Sequence, residues 1–196
     1  MPHTIFTTPG LAKGMASFSK WLLLALGWKL EGSMPEGIHQ SVVIAAPHTS
    51  NWDFPYTLLA AFALNMRIHW IGKHQLFRFP FGFVMRWLGG IAVNRESSNN
   101  TVDHCITLLQ NAPADLHIVI PPEGTRSKVH YWKTGFYYVA LGAKVPVIGG
   151  YLDFGQKRVG LGPPFVLTGD IEADMQLIKD FYANFSGKNA QQFALE

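Results

Sequence analysis

Residues 41 to 64 read SVVIAAPHTSNWDFPYTLLAAFAL, two apolar runs separated by a polar loop. The first run, SVVIAA, is short and β-branched, as expected of a strand buried on both faces. The second, from Tyr56 to Leu64, is longer and rich in Leu and Ala, which favours helix. A strand that passes through a proline-bounded loop into a helix is the opening of a βα unit. The alternation continues downstream. RIHWIG (67–72), GIAVN (90–94), DLHIVI (115–120) and KVPVIGGYL (144–152) read as strands, while FGFVMRWLG, TVDHCITLLQN, TGFYYVALGA and IEADMQLIKDFYANF read as helices. The pattern predicts an α/β fold, a single domain with a largely parallel, mixed central sheet flanked by helices.

Length and composition agree with one domain. A chain of 196 residues with 48% hydrophobic content can bury one sizeable core, and nothing in its length calls for a second. The net charge of +3 comes from scattered Lys and Arg without a dense run, so no nucleic acid is expected as a partner. An anionic membrane surface or a phosphate-bearing substrate suits that balance better. The single cysteine, Cys105, excludes an internal disulfide and fits a reducing compartment; its apolar helical setting reads as core.

No stretch reaches the roughly 18 apolar residues of a membrane span. In FSKWLLLALGWKLEG (18–32), however, Lys20 and Lys29 bracket a Leu-rich run with Trp21 and Trp28 at its ends. This is the composition of an amphipathic helix lying in a membrane interface, although a helix packed on the domain looks similar. Residues 1–35 are therefore expected to form an N-terminal membrane-interface segment, ahead of a domain spanning 36–196.

In open α/β sheets ligands collect beyond the carboxyl ends of the strands. PHTSNWD follows the first strand of the series and PPEGTRS the fourth, so both loops should open onto one edge. Histidine is the side chain whose unperturbed pKa lies near neutrality, so His48 is a candidate to take a proton from a hydroxyl. Asp53, five residues on, can hold the other ring N–H and stabilise the imidazolium, as in a serine-protease triad whose hydroxyl comes from the substrate. An ordinary reading competes: Ser50-Asn51-Trp52-Asp53 also resembles a capping signature, with Asp53 tying down a helix start and Pro55 in its first turn. In the second loop Arg126 can fork a phosphate or carboxylate and Gly124 lets backbone approach a ligand, unless Glu123 and Arg126 merely pair at the surface.

Together these motifs carry a resemblance. His48-x4-Asp53, GKHQLFRFPFGFVMRWLGGIAVNR (72–95), PEGTRS (122–127) and VPVI (145–148) resemble, in order and approximate spacing, the motifs of the glycerolipid acyltransferases, which include 1-acylglycerol-3-phosphate acyltransferase. The resemblance implies an acyltransferase domain over 36–196 in which His48 is the base and Asp53 its orienting partner. It further implies that Lys73, Arg95 and Arg126 bind acceptor phosphate and that Glu123, with Gly124 and Thr125, shapes the acceptor site. No cofactor is implied. The implied partners are acyl-CoA or acyl-carrier protein as donor, a lysophospholipid acceptor and a membrane surface, with the protein peripheral on the cytoplasmic side. Pro121-Pro122, Gln75 and Gly149 depart from the family pattern, each on the acceptor side.

Other readings carry less. His69 and His74 with Asp53 match no familiar metal spacing, and neither a G-x-S-x-G elbow nor a phosphate-binding glycine loop is present. The phenylalanines of FRFPFGFVMRW read as core, beside an apolar cleft suited to an acyl chain. The alternatives left open are an acyltransferase for a phosphate-free acceptor, a metal-dependent hydrolase, and a lipid-binding module without catalysis.

Overall fold

The structure, a computed structural model, describes residues 3–8, 10–93, 98–112 and 115–195. In chain order the elements are α1 (Leu11–Ala25), β1 (Lys29–Glu31), β2 (Gln40–Ala46), α2 (Asp53–Ala63), β3 (Ile68–Lys73), α3 (Gly82–Trp87), β4 (Gly90–Val93), α4 (Ser98–Gln110), β5 (Leu116–Ile120), α5 (Gly135–Ala143), β6 (Val147–Asp153), β7 (Arg158–Phe165) and α6 (Ile171–Tyr182). The strands form one seven-stranded sheet in the order β1-β7-β6-β2-β5-β3-β4. All neighbours pair parallel except β6 and β7, which form an antiparallel hairpin. The α/β class and the mixed, largely parallel sheet predicted from the apolar runs are therefore present.

Strand β2 shows how the sequence builds the layers. Its side chains alternate between two cores because the strand period is two. Val42 and Ile44 face Cys105, Leu109, Phe136, Val139 and Ile178 of α4, α5 and α6. Val43, with Val119 of β5 and Ile148 of β6, faces Ala61, Phe62 and Met66 at the end of α2. Each such aliphatic side chain contributes about 1.5–3 kcal/mol on burial, so β2 is held from both sides. Cys105 is fully buried and its thiol is pushed up to about 11 by that burial, which agrees with a core role.

The N-terminal helix differs from the expectation in one respect. Gly27 adopts φ +78° and ends α1: the Trp28 N–H bonds to Leu23 O at 2.8 Å and the Gly27 N–H to Leu24 O at 2.9 Å. This paired closure is the glycine-terminated Schellman motif, which turns the chain and buries the residue after the glycine. Trp28 therefore packs with Leu23 inside the domain, against Tyr56 at 4.4 Å and Phe154 at 4.9 Å, and neither faces an interface. The exposed apolar face of α1 consists of Leu11, Phe18, Trp21 and Leu24. Beyond it, β1 adds to the sheet beside β7. Among the described residues no helix is long and apolar enough to cross a membrane.

A second correction concerns FRFPFGFVMRW. Phe77 is buried, stacked on Trp70 at 5.7 Å, but Phe79, Phe81 and Phe83 are exposed. Strand β7 was not expected at all: RVGLGPPF carries the glycines and prolines that usually break strands. Its neighbour β1 pairs only with Arg158–Gly160, so beyond that point one side of β7 is an edge, where proline is tolerated.

Candidate active site

Strand β2 delivers His48 to the carboxyl edge of the sheet, and α2 starts five residues later at Asp53. His48 Nδ1 lies 3.1 Å from Asp53 Oδ2. The same oxygen accepts the backbone N–H groups of Thr49 and Ser50, both at 2.8 Å. Asp53 is buried, while the imidazole keeps partial access to solvent. The capping signature and the orienting partner are thus the same side chain: Asp53 folds the loop back on itself and faces the imidazole. Its other oxygen, Oδ1, is buried without a hydrogen-bond partner, so Asp53 makes no cap contact to the N–H groups ahead of it in α2. With Nδ1 directed at a carboxylate, Nε2 is the nitrogen left to accept a proton.

The loop after β5 braces this arrangement from below. Pro121 to Gly124 form a turn closed by the Gly124 N–H on Pro121 O at 3.1 Å, with Gly124 at φ +64°. The turn points Glu123 inward, where Oε1 accepts the backbone N–H of His48 at 2.9 Å. Burial pushes the Glu123 carboxyl up to about 7, against the opposing pull of the His48 N–H. Glu123 therefore contacts the histidine loop and does not line the cavity described next, where the resemblance implied an acceptor-site residue; the alternative, a surface pair with Arg126, is not formed either. Since Glu123 and Asp53 already engage the N–H groups of His48, Thr49 and Ser50, an oxyanion at this site must be held by other donors.

A cavity of about 680 Å³ opens beside His48, within the usual size range of small-molecule sites. His48, Asp53, Lys73, Gly124, Thr125 and Arg126 line its polar end. The remainder is apolar and runs under α2, where Val43, Ala61, Met66, Ile68, Val119 and Leu161 are at once cavity walls and members of the core. Lys73, at the end of β3, and Arg126, beyond the turn, are exposed and make no ion pair among the described residues. Of the residues expected at the site, the cavity thus brings together His48, Asp53, Lys73, Gly124, Thr125 and Arg126; Glu123 lies behind the histidine loop and not in the lining, and Arg95 lies outside the described residues. His69 points its Nδ1 at Gly89 O, 3.0 Å away, and not at His48.

Sequence reasoning missed the C-terminal tail. After α6 the chain returns across the carboxyl edge, where Asn189 donates from its backbone N–H to Thr49 Oγ1 at 3.2 Å and from Nδ2 to Thr49 O at 2.8 Å. Gln192, with its amide nitrogen turned toward them, donates to Thr49 O at 2.9 Å and Arg126 O at 2.8 Å. Lys188 sits over the Trp52 ring at 4.8 Å. One short segment therefore ties the histidine loop to the arginine loop. Polar residues in an aperiodic tail carry no sequence signal for this role.

No curated protein matches the chain. Among solved structures, the crystal structure of the 1-acyl-sn-glycerophosphate (LPA) acyltransferase PlsC from Thermotoga maritima is similar, with a TM-score of 0.58 over 87% of this chain and 78% of that one. The two share 19% sequence identity, so the likeness is one of fold. A family model described as Acyltransferase matches residues 30–151, a span that runs from β1 through β6 and includes both loops of the site. The match extends over well more than half of the chain and contains the paired His48 and Asp53, and on that ground the protein belongs to the acyltransferase family.

Proposed function

We propose that the protein transfers a fatty acyl group from an acyl thioester, acyl-CoA or acyl-carrier protein, to the free hydroxyl of a lysophospholipid acceptor, with 1-acylglycerol-3-phosphate the best-fitting acceptor. The observation that carries this reading is the 3.1 Å contact between His48 Nδ1 and Asp53 Oδ2 at the polar end of an apolar cavity. His48 Nε2 removes the proton of the acceptor hydroxyl, which attacks the thioester carbonyl, and Asp53 stabilises the resulting imidazolium. The tetrahedral oxyanion then collapses and the thiol leaves, taking the proton from His48. Lys73 and Arg126 supply a point charge and a paired donor for the acceptor phosphate, which fixes the hydroxyl relative to the base.

The similarity of fold to an LPA acyltransferase supports a phosphate-bearing acceptor. In this reading the protein is peripheral on the cytoplasmic side of a membrane, with Phe18, Trp21 and Leu24 of α1 in the interface. Purified protein supplied with a panel of lysolipid acceptors, each with acyl-CoA and with acyl-carrier protein, tests the proposal. Acceptor-dependent thiol release that is fastest with lysophosphatidic acid is expected. Release without any acceptor would favour a thioesterase or hydrolase, and a preference for a phosphate-free acceptor would shift the reading to that class.

A further inference from the structure

Between β3 and β4 the chain places its most apolar surface outward. Phe79, Phe81 and Phe83 have 97%, 69% and 73% of their surface exposed. Single exposed apolar residues are normal, but three aromatics within five positions form a patch, and such patches mark interaction surfaces. The patch is carried on a braced platform. Arg86 donates to Phe77 O and Gly82 O, both at 3.3 Å, and a side chain at Gly82 would collide with Phe77 O. The phenylalanines are thus held outward by local geometry.

Charge and position identify the occupant. From residue 54 to residue 93 the chain contains no Asp or Glu, and its Arg67, Lys73, Arg78 and Arg86 are all exposed. Arg67 lies at the far end of β3, but Arg78 and Arg86 flank the phenylalanines in sequence and Lys73 stands at the cavity side. An apolar segment with interspersed cations and no acid of its own is complementary to an anionic lipid surface, where aromatics sit at the headgroup boundary and cations meet phosphates. A ring as fully exposed as that of Phe79 also protrudes. A fluid bilayer accepts such a shape without a matching hole, whereas a folded protein partner must supply one. The patch adjoins the catalytic cavity, because Leu76 and Lys73 at its edge line that cavity.

We propose that this lip, Phe79 to Phe83 with its flanking cations, docks on an anionic bilayer and brings the cavity mouth against the membrane. Acceptor lipid then enters from the plane of the bilayer and not through water. The docking stands on the surface itself; the entry route rests on the acyltransferase reading. Cys105 is buried and is the only cysteine, so a Phe79→Cys variant of the full chain carries the only accessible thiol and can be labelled with a polarity-sensitive dye. Phosphatidylcholine vesicles with and without phosphatidylglycerol are the probes. A blue shift with the anionic vesicles is expected, together with a loss of vesicle partition on the order of 100-fold when Phe79, Phe81 and Phe83 are all changed to Ser. Turnover of a monodisperse short-chain lysolipid by that triple variant should stay within about twofold of wild type. An unmoved dye, or unchanged partition of the triple variant, overturns the proposal. So does a triple variant that only converts a dimer to a monomer, or one that loses only binding to acyl-carrier protein. Absence of turnover in wild type would overturn the enzymatic reading and leave the docking result standing.

Discussion

Asn189 and Thr49 share two hydrogen bonds across a sequence separation of 140 residues. Thr49 in turn donates its N–H to Asp53, so the tail reaches the carboxylate that faces His48 through one intermediate residue. A displaced catalytic loop would lower turnover more than substrate affinity. Asn189→Ala should therefore reduce kcat by about 10- to 100-fold with little change in KM, while costing about 1–2 kcal/mol of stability. Steady-state kinetics beside thermal melts separate the two effects. A parallel loss of kcat and folding would mean that the tail is merely a structural brace.

Asp53 has two tasks, and they predict different costs. Losing the loop hydrogen bonds would cost on the order of 1 kcal/mol, but losing the partner of His48 should cost orders of magnitude in turnover. Asp53→Asn should melt close to wild type and be nearly inactive, and His48→Ala should be less active still. Substantial turnover by folded His48→Ala protein would remove the imidazole from the mechanism.

Two buried titrating groups should give opposite pH slopes in stability. Glu123 is raised by burial from 4.5 to about 7, so its proton is bound more tightly in the folded state; its contribution is full below pH 4.5 and disappears as pH rises through 7. His117 is lowered by burial from 6.5 to about 4, so its contribution is present above pH 6.5 and disappears as pH falls through 4. Each is worth about 3 kcal/mol, and in the wild type they largely cancel. Glu123→Gln should leave a protein that loses stability on acidification across pH 6.5 to 4. His117→Asn should leave one that gains stability on acidification across pH 7 to 4.5. Chemical denaturation at a series of pH values reads both slopes.

Arg126→Ala should cost about 2 to 5 kcal/mol in kcat/KM toward lysophosphatidic acid and much less toward a phosphate-free acceptor. Equal losses on the two acceptors would show that Arg126 serves the fold or the donor and not the acceptor phosphate.

Adjacent leucines of α1 should behave differently. Leu24 is exposed and Leu23 is buried beside Trp28. Leu24→Glu should weaken vesicle binding without lowering the melting temperature, whereas Leu23→Glu places a charge in the core and should cost about 4 kcal/mol or more. Co-sedimentation and thermal melts of the two variants make the comparison.

The sheet was legible because its central strands are buried on both faces and so read as short apolar runs. The edges were harder. β7 is built from residues such as Gly160, where a side chain would collide with the Glu31 carbonyl of β1; that requirement exists only once the strands are paired. Trp28 was misplaced although Gly27 was visible, because a terminating glycine cannot be told from a tolerated one until the chain is seen to turn. At the site, His48 and Asp53 lie close in sequence and their relation follows from spacing. Asn189 and Gln192 act only after the tail has folded back over both loops. The phenylalanines from 79 to 83 show the limit of composition, since hydrophobicity favours burial but does not say whether another part of the same chain will cover it.

The walls of the cavity are also the walls of the hydrophobic core, so whatever fills the cavity becomes a structural component. On the proposed function an acyl chain would fill the space under α2 and complete the packing that the protein alone leaves open, so that occupancy and folding would be thermodynamically linked. A ligand present at about a hundred times its dissociation constant adds about 2.7 kcal/mol to the stability of the folded state. The melting temperature then becomes a ruler for chain length: non-hydrolysable acyl analogues of increasing length should raise it stepwise until the space is full, and chain-length preference could be read without a single turnover.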